Sequence, residues 1–196
     1  NQAITTQLGT INGEDSIMYS GQLSQITMNV NANKAYIYGL SGYLNASITE
    51  NFSITSTLNY TFGRIKTDTT VYPLDHIAPV FGKTSFDLKL NKFRGEFFIA
   101  YSADKKSADY NLLGEDNASY SADPVKGYMP AWYTINLRAA YQFNKHIQLK
   151  VAVENMLDLN YRMFASNISA AGRNLSVSLL GTFEFFINSP IVKLWT

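Results

Sequence analysis

The feature that most restricts this chain is a strict period of two in its polarity. Residues 133–143 (YTINLRAAYQF) alternate apolar with polar, and residues 147–154 (IQLKVAVE) resume the pattern after only Asn144, Lys145 and His146. Successive side chains of an extended strand point to opposite sides, so this pattern predicts two-faced β-strands rather than helix. The short connection predicts an antiparallel hairpin. One face carries Tyr133, Ile135, Leu137, Ala139, Tyr141 and Phe143, then Ile147, Leu149, Val151 and Val153. The other carries Thr134, Asn136, Arg138, Gln142, Gln148, Lys150 and Glu154. Aromatics at the ends of an apolar face and aliphatics in its middle are the profile of a strand that crosses a bilayer between two aromatic girdles. About 9–11 residues suffice for a tilted crossing. The alternation itself is equally compatible with a soluble β-sandwich, whose apolar face meets a protein core.

The pattern recurs along the chain. Residues 3–8 read as a short strand end. Residues 9–33 are polar and broken by Gly13, Gly21 and several Asn, a long loop with an internal strand around 24–30. In 34–48, Tyr36, Tyr38, Leu40, Leu44, Ala46 and Ile48 alternate with small or polar residues, and 49–51 is a tight turn. In 52–63, Phe52, Ile54, Leu58, Tyr60 and Phe62 oppose Ser53, Thr55, Thr57, Asn59 and Thr61. A loop with Pro73 and Pro79 fills 64–82. Strands are expected at 84–90 and 95–102 around a turn at 91–94, then a long loop over 103–131 and a last strand over 175–183. The fold class is therefore all-β, with about eight strands whose connections alternate short and long, the layout of short periplasmic turns and long extracellular loops in a membrane barrel. No repeat at solenoid spacing is present.

Bulk properties agree with that layout. Hydrophobic residues make up 46% of 196, yet mean hydropathy is −0.11. No run is long and apolar enough for a transmembrane helix, whereas a barrel conceals its membrane character in alternation. Tyr (13) and Phe (12) are abundant, as strands and interfaces favour. The absence of Cys excludes disulfide and thiolate chemistry. A net charge of +1 without a basic block argues against nucleic acid as a partner. Asp87, Lys89, Arg138, Lys150 and Glu154 all fall on the polar face. Packing those charges into the filled lumen of a small closed barrel is costly unless they pair, which favours a segment of a wide, wet barrel.

Residues 154–162 (ENMLDLNYR), then 171–174 (AGRN) and a final strand with Phe183 near its end, resemble the C-terminal end of TonB-dependent outer-membrane receptors. The specific motif is confined to 154–183, although the style of the chain matches over most of 34–183. The resemblance implies that Asn155, Asp158, Tyr161 and Arg162 belong to a segment leaving the next-to-last strand. Gly172, Arg173 and Asn174 would open the last strand, and Phe183 would be its terminal aromatic. It further implies energised uptake of a scarce nutrient such as an iron chelate, haem or cobalamin, with no catalysis and no cofactor. The partners implied are outer-membrane lipid, a small-molecule ligand, a plug domain, the rest of the barrel, and TonB through an N-terminal region. A receptor of about 22 strands plus plug exceeds this length. Residues 1–183 are therefore expected to be the last part of a barrel in a bacterial outer membrane, and 184–196, with Pro190, an atypical tail that no strand continues.

Few residues suggest chemistry. His76 lies in a predicted outer loop and is offered as a haem ligand or a ligand contact, against the plainer reading of a solvated residue. His146 falls in a predicted periplasmic turn. Glu115, Asp116 and Asn117, with Asp109 and Asp123 near, offer oxygen ligands for Ca²⁺ at a spacing that fits no rigid loop motif; solvated charge is the plainer reading. Tyr110, Tyr120, Tyr128 and Trp132 interleave the longest loop as ligand-contact candidates, Tyr128 and Trp132 being also candidates for the outer girdle. Asp158, Arg162 and Arg173 read as architectural, with Arg173 holding the loop to the rim through carboxylates such as Asp158. No Ser-His-Asp set has spacing support, which disfavours a hydrolase. A complete small barrel (porin, adhesin or structural) and a soluble sandwich remain open.

Overall fold

The computed structural model describes residues 3–32, 34–67, 70–111, 125–166 and 168–182. Its first four strands, β1 (Ala3–Leu8), β2 (Ser16–Tyr19), β3 (Gln22–Gln25) and β4 (Thr27–Ala32), form two small antiparallel ladders, β1 with β4 and β2 with β3. The main sheet contains β5 (Lys34–Ser47), β6 (Phe52–Lys66), β7 (Val71–Pro73), β8 (Phe81–Leu90), β9 (Phe93–Ser102), β10 (Trp132–Gln142), β11 (Ile147–Glu154) and β12 (Asn174–Gly181). Its order is β5-β6-β8-β9-β10-β11-β12, with β7 a short addition to the end of β6. Every pair is antiparallel, and β5 and β12 each have one edge without a partner strand among the described residues.

Register converts the sequence alternation into two continuous faces, because a slip of one residue would exchange them. On one face Ile54 opposes Phe86, Phe86 opposes Phe97, Phe97 opposes Leu137, Leu137 opposes Val153, and Val153 opposes Leu175. On the other, Asp87 opposes Glu96 and Glu96 opposes Arg138. The apolar face is bare. Leu40 is 70% exposed and Leu179 72%, while Thr134 and Asn136 on the polar face are 3% and 4% exposed. Inside-out polarity in a single sheet, with no layer over the apolar side among the described residues, is the signature of a wall built to face lipid. A sandwich would have that side covered by a second sheet.

One close approach fixes part of this wall. A Cβ on Gly82 would sit 2.7 Å from Tyr101 Oη and collide with the Thr57 carbonyl oxygen. The Tyr101 ring instead lies over the glycine and donates its hydroxyl to that carbonyl at 3.3 Å. An aromatic covering a cross-strand glycine pins register.

Several boundaries move from expectation. β6 runs on to Lys66, its last residues paired with β5 on one side and β7 on the other, inside a stretch that the two prolines suggest is all loop. The turn between β8 and β9 shrinks to Asn91 and Lys92, with Asn91 in the left-handed region at φ 34°. The region 9–33 holds three strands where one was expected. Long connections all lie at one end of the main sheet and short turns at the other. The expected tail (184–196), Phe183, Tyr120, Glu115, Asp116, Asn117 and Asp123 lie outside the described residues.

Candidate functional site

The polar face carries an ordered row of charges. Lys83 Nζ lies 2.6 Å from Glu96 Oε1, Arg138 Nη1 lies 3.5 Å from Glu96 Oε2, and Arg138 Nη2 lies 2.6 Å from Glu154 Oε1. The row thus alternates sign across β8, β9, β10 and β11. The buried Phe98 ring sits among it, with Lys83 Nζ 4.1 Å and the Arg138 guanidinium carbon 4.6 Å from its centroid. These side chains remain partly in water, so each link contributes no more than about 0–1 kcal/mol; their stronger effect is to set the potential along the face. Sequence alone suggests inward charges, including Arg138 and Glu154, but not that Lys83 and Glu96 complete an alternating row. Glu96 could have been found by its phase, one residue before Phe97 on the apolar face.

Next along the face stands the segment after β11. Asn155 is 4% exposed and adopts φ 49°, which asparagine tolerates better than most residues. Its amide donates to the carbonyls of Leu159 (2.8 Å) and Ala171 (3.2 Å), and its Oδ1 accepts from the Leu159 N–H at 3.0 Å. Its own N–H donates to Asn136 Oδ1 at 2.9 Å, and the Asn136 amide donates to the carbonyls of Phe98 and Thr134. Asp158 Oδ1 accepts from the Arg173 backbone N–H at 2.7 Å, while the Arg173 guanidinium donates to the Met156 carbonyl at 3.1 Å. The link between Asp158 and Arg173 therefore runs through the main chain, where the sequence suggested the guanidinium. Gly172 is small because a Cβ there would sit 2.7 Å from Asp158 Oδ1. Asn174 opens β12 opposite Glu154. Arg162 takes no part in this network.

The loops at the rim are tied together. Lys105 is buried; its Nζ donates to the Ile77 carbonyl at 2.8 Å and lies over the rings of Tyr110 (4.6 Å) and Phe164 (4.4 Å). Arg64 pairs with Asp109 at 3.0 Å. Tyr110, expected as an exposed ligand contact, is instead buried at 2% exposure within this packing. Tyr128 is half-buried, and His76 is exposed with φ 60°. Trp132 lies in register with Ser102, on the polar side, so it does not belong to the apolar girdle; its ring centroid is 4.3 Å from that of Tyr161. Burial, and then the Glu154 carboxylate, raises the Tyr161 phenol above its ordinary value of 10.0, keeping it protonated.

Hollows lined by described residues follow the polar face. One of about 550 Å³ at the short-turn end is lined by Glu50, Asp87, Arg94, Arg138 and Lys150 among others. One of about 250 Å³ lies between Phe98, Arg138, Asn155 and Tyr161, and one of about 350 Å³ at the rim between Lys126, Trp132, Tyr161 and Arg162. Arg138 lines the first two and Tyr161 the last two, so the hollows form a run from rim to turns.

Comparison with known proteins decides what this wall is part of. Residues 1–156 match the family described as TonB dependent receptor-like, beta-barrel. The chain belongs to this family. Such receptors are transport proteins and not enzymes. The probable TonB-dependent receptor BfrD of Bordetella pertussis is 33% identical over 72 residues, covering 35% of this chain and 10% of that protein. Among solved structures, the copper transporter OprC superposes with a TM-score of 0.64 at 18% identity, covering 86% of this chain and 26% of its own. The ferric enterobactin receptor PfeA of Pseudomonas aeruginosa gives 0.60 at 16% identity, with 93% and 27% covered. The siderophore receptor PirA of Acinetobacter baumannii gives 0.60 at 21%, with 92% and 28% covered. The structural likenesses speak for the fold, a TonB-dependent receptor barrel, of which this chain spans about a quarter of the solved structures' length. The family match ends at residue 156, so the hydrogen-bonded segment from Asp158 to Asn174 lies beyond it.

Proposed function

We propose that residues 1–183 form the last part of the barrel wall of an outer-membrane receptor that takes up a scarce nutrient, energised through TonB. The observation that carries this reading is the bare apolar face of a single sheet whose buried polar atoms lie on the opposite side. Tyr133, Leu137 and Tyr141 then contact lipid, the long loops stand outside the cell, and the short turns face the periplasm. The plug and the earlier strands lie elsewhere in the protein, and contact with TonB is made through its N-terminal region. An iron chelate is the favoured nutrient class, because PfeA is a ferric enterobactin receptor and PirA a siderophore receptor; haem and cobalamin are the alternatives. Trp132 and Tyr128 at the rim are the ligand-contact candidates best supported by position, with His76 and Tyr120 as outer-loop candidates.

The test is deletion of the gene in its host under nutrient limitation, with uptake of labelled ferric siderophores, haem and cobalamin followed with and without a protonophore. Loss of the protonophore-sensitive uptake of one of these supports the reading. Unchanged uptake of all of them, or recovery of the protein in a soluble fraction without detergent, overturns it.

A further inference from the structure

The short-turn end of the polar face carries a row of one charge sign. Register sets Lys89 opposite Arg94, Arg94 opposite Ala140, Ala140 opposite Lys150, and Lys150 opposite Ser178. Like charges directly opposite one another weaken a sheet, so the Lys89–Arg94 pairing is a local cost. The acids of this face lie one row further in, where Asp87 opposes Glu96, and Glu96 is already engaged by Lys83 and Arg138. Lys89, Arg94 and Lys150 are exposed and form no ion pair among the described residues. All three line the hollow of about 550 Å³, together with Ala140, Ala152 and Ser178. The small side chains leave a low floor between the long cationic ones. From β8 to β11 the row crosses three strand spacings, about 14 Å. That is wider than a single carboxylate or phosphate group, and it matches an extended peptide with acidic side chains about four residues apart. Once the wall is part of a closed ring, this side faces the interior, where a standing occupant is the receptor's own chain. Residues 184–196 contain one acid, Glu184, and do not match the row.

We propose that this hollow seats an acidic segment of the receptor's own polypeptide, from outside residues 1–196, with its carboxylates on Lys89, Arg94 and Lys150. The proposal rests on the reading of the sheet as barrel wall and adds the place and the charge sign by which the receptor's interior is held. The test is zero-length cross-linking of the complete receptor, purified in detergent micelles without added nutrient. A water-soluble carbodiimide joins a lysine amine to a carboxylate in contact with it, and the linked peptides are read by mass spectrometry. The Lys83–Glu96 pair, 2.6 Å apart, is the internal control that the reagent enters. The expected result is cross-links from Lys89 and Lys150 to acids of one segment outside residues 1–196. Cross-links only to Glu50, Asp87 or Glu96 mean that the wall neutralises itself, and links to Glu184 or to a separate protein name another occupant. Any of these, or no link from either lysine beside a formed control, overturns the proposal. Should the control not form, cysteine placed at Ala140 decides. Its labelling by a maleimide is expected to be at least about tenfold slower than in a receptor that also carries Lys89→Gln, Arg94→Gln and Lys150→Gln. Equal rates overturn the proposal, as they would if the occupant were a diffusible anion absent from the nutrient-free protein. Cross-links are read without transport, so their absence leaves the uptake result standing, whereas recovery of the protein without detergent overturns the wall itself.

Discussion

Asn155 shows how much one side chain can organise at a strand end. Its amide closes the backbone between Leu159 and Ala171, and its own N–H reaches Asn136 on the neighbouring strand. Replacing it with alanine leaves the part-buried Leu159 N–H and two carbonyls without this partner and leaves a residue less suited to positive φ. Each hydrogen bond lost there costs about 0.5–1.5 kcal/mol. The expected outcome for Asn155→Ala is a barrel that still assembles but whose segment 156–173 becomes cleavable by trypsin in intact outer membranes. Cleavage no faster than in the unaltered protein would show that the segment is held by other means. The importance of Asn155 is legible from the sequence as part of a recognisable motif. Its partners are not, because Asn136 and Ala171 are brought near only by the β10–β11–β12 register. The charge row is hidden for the same reason: Lys83 and Glu96 each look like an ordinary polar residue of an alternating strand until three strand pairings align them.

At the scale of elements, the β10–β11 hairpin is readable because its alternation is unbroken and its turn is short. The β2–β3 hairpin is not, because Ile17, Met18, Tyr19 and Leu23 stand among Ser and Gln without a clean period, and it holds its shape mainly through backbone pairing. Gly82 in β8 illustrates a device invisible in the sequence. Read alone, a glycine in a strand suggests weakness; here it makes room for Tyr101 to reach the backbone of β6. Gly82→Val is therefore expected to disrupt assembly, because the new side chain meets the Thr57 carbonyl as well as the movable Tyr101 ring. Tyr101→Phe should lose only one hydrogen bond, about 0.5–1.5 kcal/mol. Heat-modifiable mobility on gels, measured against temperature, separates the two. Equal midpoints for Gly82→Val and the unaltered protein would contradict the packing.

The molecule as a whole is a curtain with one oily and one watery side, and adjacent residues test which is which. Val177 lies on the apolar face and Ser176 on the polar one. Lysine in place of Val177 is expected to cost about 2–4 kcal/mol near the middle of a bilayer and to reduce the yield of folded receptor in the outer membrane. Lysine in place of Ser176 should leave that yield nearly unchanged. The opposite ranking would mean that the faces are assigned the wrong way round. The free edges of β5 and β12 carry a further consequence. Along each edge, alternate residues aim amide and carbonyl groups away from the sheet, where no described strand meets them, and in hydrocarbon each such group left bare costs several kcal/mol. With 14 residues in β5, that deficit exceeds the roughly 5–15 kcal/mol by which a typical domain is stable at all. The sheet is thus a sentence with both margins open: in a bilayer it can persist only as an arc of a closed ring, and outside one it will take whatever strand is offered.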